Sequence, residues 1–135
     1  MRTAFRLVAT LTSLAVIVQV GFAGYGAFNA IDKADDAASV TKKTIENGFD
    51  PHGALGTIVV ALMLILVLIS VFGGRIRARM VTILFVLGIV QMLLAWGATG
   101  AAWVGFLHGV NALAIAGIAG SLAGDEWRAV RAAPA

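Results

Sequence analysis

A bundle of four membrane-spanning helices, all-α, is the fold this sequence predicts, and three observations predict it. Of 135 residues, 60% are hydrophobic and 13% charged, roughly half the charged share of a soluble domain. The charges cluster: no Asp, Glu, Lys or Arg occurs in residues 7–31, 53–74 or 80–124. A bilayer-crossing helix takes about 20 apolar residues, so the first two runs hold one span each and the third holds two. Within that third run, "WGATGAAW" breaks the aliphatic pattern at Gly97, Thr99 and Gly100, which marks a turn.

The predicted spans are 6–29, 54–72, 81–97 and 101–122, with an outer loop at 31–51 in a single membrane domain, 1–135. The first begins with the basic "MRTAF" and carries a small-residue "GFA", features shared with signal peptides. Its apolar run outlasts a signal core of roughly 7–15 residues, so an uncleaved helix is the expectation. The loop is polar, and "DDAASVTKKTIEN" within it suits a short surface helix. Ser39 and Lys42 match a nucleophile motif only by their letters. Asp50 as cap and Pro51 in a first turn would open the second span. "GGRIRAR" separates the second span from the third.

Arg2, Arg6, Arg75, Arg77, Arg79, Arg128 and Arg131 all fall on one side of these spans, whereas Lys33, Lys42 and Lys43 face five carboxylates on the other. The positive-inside rule then places both termini in the cytoplasm of a bacterial inner membrane. Trp96 and Trp103 suit an outer aromatic belt and Trp127 an inner one. The pI near 10.0 comes from the flanking arginines; their counter-charge is anionic lipid, not nucleic acid. Apart from Arg6 at the very start of the first, the spans carry no carboxylate or cationic side chain, which argues against a pump or a charge-selective pore. The absence of cysteine excludes disulfides, thiol catalysis, iron–sulfur ligation and covalently attached haem.

The polar residues inside the spans repeat. "LAVIVQV" around Gln19 resembles "VLGIVQM" around Gln91, and "HGALG" at His52 resembles "HGVNAL" at His108. Two parallel helical hairpins related by a pseudo-two-fold axis would produce this pattern, each with Gln on its first helix and His on its second. Chance similarity between apolar helices is the alternative. His52 precedes Arg75 by 23 residues and His108 precedes Arg128 by 20, so both histidines lie at a similar height, on the order of 30 Å above those arginines.

Two readings of the histidines follow. In one, His52 and His108 are the axial ligands of a single haem b, a cofactor that needs no cysteine and accepts neutral imidazole on both faces. Gly53, Gly56 and Gly105 would make room for the porphyrin, Asn111 would bond a ring nitrogen, a propionate or a neighbouring helix, and Lys33, Lys42 and Lys43 would neutralise propionates. Gln19 and Gln91 would bond between helices, to the histidines, or to a quinone carbonyl. In the other reading, small-residue stripes and polar side chains merely pack and knit membrane helices. Other metals suit the sequence poorly, apart from a loose outer site of Asp50 with His52. Met63, Met80 and Met92 read as packing residues.

The Gln and His-Gly placement, ending in "LHGVNALAIAG", resembles a family of small four-helix bacterial integral membrane proteins. It is more distantly similar to the four-helix units of haem A synthase and membrane b-type cytochromes. That likeness implies histidine pairs on opposing helices. Two histidines allow one bis-histidine haem at most, and the haem A synthase catalytic carboxylates have no counterpart here. The expectation is a haem b protein for electron transfer or redox sensing, working with a quinone, within a larger redox complex or as a homo-oligomer. A structural or assembly subunit without cofactor is the alternative. No residue is assigned a catalytic role.

Overall fold

A computed structural model describes residues 1–35, 40–98 and 100–132. The chain forms four helices: α1 (Arg2–Asp35), α2 (Lys42–Phe72), α3 (Ala78–Ala98) and α4 (Ala102–Arg131). All four are long and apolar enough to cross a membrane. Each helix packs on its chain neighbours and α4 closes on α1; among the described residues the backbones of the diagonal pairs, α1 with α3 and α2 with α4, stay apart. The result is a four-cornered up-and-down bundle.

Buried positions recur in steps of four, three and four: Phe5, Ala9, Thr12 and Val16 on α1, Val59, Met63, Leu66 and Ser70 on α2, Ile115, Ala119, Leu122 and Glu126 on α4. Val81, Leu84 and Gly88 do the same on α3. This is the narrow seam of knobs-into-holes packing, one residue in three or four facing inward. Many other apolar residues, such as Leu14, Ile17, Leu68 and Leu93, are exposed, as a lipid-facing surface requires. Met63 is buried as the sequence predicts; a Cβ on Gly88 would stand 2.6 Å from its sulfur.

The tight core occupies the half of the bundle that carries the termini. In the other half, the buried residues among those described are Gly26 and Gly48, where α1 and α2 cross. A Cβ on Gly26 would lie 2.9 Å from the ring of Phe49, and one on Gly48 would lie 3.3 Å from the Gly26 carbonyl. Gly26→Val is therefore expected to destabilise the protein by about 1–3 kcal/mol, the cost of overpacking a filled contact. Gly24→Val is the control, because nothing lies within 4 Å of a Cβ there. Equal thermal stability of the two variants in detergent would remove Gly26 from this role.

The predicted outer loop at 31–51 is corrected by the structure, since α1 runs on to Asp35 and α2 already begins at Lys42. Thr41, not Asp50, caps α2: its hydroxyl accepts the Thr44 N–H at 3.2 Å. Helix-forming residues and a Lys42–Glu46 pair at 3.5 Å carry α2 through Pro51, which removes one N–H without ending the helix. The fourth span likewise continues past 122 to Arg131, because its last two turns interact with the rest of the bundle through charged and aromatic side chains. Residues 36–39, including Ser39, and Thr99 of the predicted turn lie outside the described residues. At about 1.5 Å per residue, the 34 residues of α1 span roughly 51 Å, well beyond a hydrocarbon core of about 30 Å.

Candidate cofactor site between diagonal helices

His52 on α2 and His108 on α4 belong to a diagonal pair whose backbones do not touch, yet their rings meet. The centroids stand 6.0 Å apart with the planes at 60°. Both rings are half-buried. The level-matching inferred from the sequence thus brings the two together across the bundle interior.

Each ring is held by the same type of bond. His52 Nδ1 lies 2.9 Å from the backbone oxygen of Gln19 on α1, and His108 Nδ1 lies 3.2 Å from the backbone oxygen of Gln91 on α3. A helical carbonyl already accepts one N–H, but its second lone pair remains available. The imidazoles can therefore donate to it without breaking a helical bond. The two glutamines matched by sequence serve their histidines through main-chain atoms, a use the side-chain pattern could not reveal.

The hairpins differ in where the glutamine side chains go. Gln19 lies over Gly56, where a Cβ would fall 2.6 Å from its amide nitrogen. Gln91 instead turns to His108, its Nε2 standing 3.0 Å from His108 Nε2. Asn111 orders this contact, donating to the Leu87 carbonyl at 3.0 Å and to Gln91 Oε1 at 2.7 Å. With Oε1 accepting, Gln91 Nε2 must be the donor toward His108. His108 is then a neutral imidazole carrying its hydrogen on Nδ1. Asn111 thus bonds a neighbouring helix, one of the three partners that its position allows.

The glycines divide similarly. Gly56 accommodates Gln19, and a Cβ on Gly105 would meet that of Ala98 at 3.8 Å. Gly53 and Gly109, next to the histidines in the chain, have nothing within 4 Å of a Cβ position. Phe49 was not legible as a site residue: its ring packs edge-on to His52 at 6.3 Å between centroids while also filling the Gly26 contact. Only the α1–α2 crossing makes that connection.

Two imidazoles are the donors that an iron held here would use, although Gln91 engages both nitrogens of His108. A carbonyl on each Nδ1 selects the tautomer that leaves Nε2 to a metal. His52 Nε2 has no hydrogen bond among the described residues, whereas Gln91 must release His108 Nε2 before that nitrogen can ligate. Other metals find less support: no three His, Cys, Asp or Glu side chains gather among the described residues. Compared with known protein families, curated proteins and solved structures, the chain matches none.

Proposed function

We propose that this multi-pass membrane protein binds one haem b between His52 and His108 and serves one-electron transfer or redox sensing. The observation that carries the reading is the meeting of the two rings across a diagonal, at 6.0 Å, where no backbone contact requires it. Haem b held there supplies a one-electron couple inside the bilayer. His52 and His108 would provide the ligands, and the Gln19 and Gln91 carbonyls would orient them. A haem held by two histidines would supply one-electron transfer rather than chemistry at an open site.

The finer topology belongs to the same proposal. Seven arginines at the end with both termini support a cytoplasmic orientation of that end in a bacterial inner membrane, with the histidines toward the outer face. The paired Nδ1 bonds to Gln19 and Gln91 support two hairpins related by a pseudo-two-fold axis along the membrane normal.

One observation favours a second reading, in which the polar residues only knit the helices. Gln91 occupies His108 Nε2, and every amide hydrogen of Asn111 has an acceptor. The visible spectrum of the protein purified in mild detergent, before and after dithionite, separates the two. A sharp Soret band with resolved α and β bands on reduction is expected. A featureless spectrum that persists after haemin is added would leave the knitting role.

A further inference from the structure

At the opposite end of the bundle, an open cavity of about 320 Å³ between α1 and α4 is lined by Arg2, Thr3, Arg6, Glu126, Ala129 and Val130. We propose that it binds the phosphate headgroup of an anionic phospholipid. Charge is the first reason. Asp125 pairs with Arg77 and Arg128, and Glu126 pairs with Arg77 at 3.5 Å. Arg2 and Arg6, one helical turn apart, have no carboxylate partner among the described residues. The cavity therefore carries a positive surplus even with Glu126 in its wall.

Preorganisation is the second. Arg6 lies over the Trp127 ring, 4.5 Å from its centroid, and the Trp127 indole N–H donates to Thr10 Oγ1 at 2.9 Å. The guanidinium is thus placed before any ligand arrives, which lowers the entropy cost of binding. Guanidinium forks suit phosphate oxygens.

The surroundings choose a lipid over free phosphate. At roughly 30 Å³ per water, the cavity has room for a headgroup rather than a single solvent molecule. Exposed Leu7, Leu11 and Leu14 continue along α1 above it, so acyl chains attached to the phosphate would meet apolar surface. A basic pocket between helices at the membrane boundary is the arrangement that recognises such lipids.

Native mass spectrometry of the whole protein, given equal dioleoyl phosphatidylglycerol and dioleoyl phosphatidylcholine, tests this. About thirtyfold greater retention of phosphatidylglycerol is expected, from two arginines near the surface at about 1 kcal/mol each. The double variant Arg2→Ala/Arg6→Ala should lose the preference, whereas Arg79→Ala, outside the cavity, should keep it. Arg6→Lys preserves the charge and should retain part of it, which guards against misfolding of the double variant. Equal retention of both lipids, or a preference that survives in the double variant, would overturn the proposal. Displacement of phosphatidylglycerol by millimolar inorganic phosphate would overturn the lipid assignment in favour of a free-anion site.

Discussion

His108→Ala and His52→Ala are each expected to abolish the low-spin haem spectrum. Loss of a direct ligand should exceed the about 10–100-fold drop in affinity that removal of a supporting residue causes. The two variants should differ in stability. Without His108, the Gln91 carbonyl and amide both lose a partner on α4; without His52, only the Gln19 carbonyl loses one, on α2. Interhelical bonds of this kind contribute about 0.6 kcal/mol on average and up to about 1.7, so His108→Ala should melt at the lower temperature. Added imidazole can enter the space left by either side chain and ligate iron without rebuilding the helix contacts. It should restore the spectrum and leave the melting temperature low. Colour unchanged in both variants would remove these histidines as ligands. A wild type that is colourless even with haemin, with only His108→Ala destabilised, is the signature of helix knitting.

Arg77→Ala is expected to lower stability through the loss of two ion pairs to α4. Arg77 sits in the turn between α2 and α3, adopts φ 52° and reaches α4 at two carboxylates, Asp125 at 3.2 Å and Glu126 at 3.5 Å. Glu126 is 5% exposed, so removing its guanidinium leaves a charge in a poorly hydrated site. Breaking a fully buried pair costs about 3–5 kcal/mol. Arg77 itself is 43% exposed at the side chain, and solvent screening lowers the expectation to about 2 kcal/mol. Arg77→Gly should lose less, because glycine adopts the left-handed backbone that costs other residues about 1–2 kcal/mol. Thermal unfolding of the three proteins in one detergent measures this order. Arg77→Ala melting with the wild type would show that the ion pairs contribute nothing net.

The contrast between these two regions explains what could be read in advance. Span number followed from hydropathy because the hydrocarbon core demands unbroken apolar runs of a set length. The helix ends did not, since membrane thickness limits the span and not the helix. The residues at 42–50 continue α2 outward, and those at 123–131 extend α4, through local bonds and tertiary contacts that a hydropathy pattern does not contain. Asp50 and Pro51 carry a start signal, but Thr41 caps the helix earlier and the missing proline N–H is tolerated in its interior.

At the candidate site, sequence alone determined which polar residues enter the apolar spans and that His52 and His108 share a height, because helical rise converts residue number into depth. Tertiary structure decided the rest. Whether residues at one height face each other depends on helix rotation and on which helices lie diagonal. The main-chain roles of Gln19 and Gln91 depend on a neighbour reaching a spare carbonyl lone pair. The difference between Gln19 over Gly56 and Gln91 on His108 depends on Asn111, whose two acceptors lie on another helix. Depth is a one-dimensional property and is written along the chain; facing and partnership are three-dimensional and arise only when the helices pack.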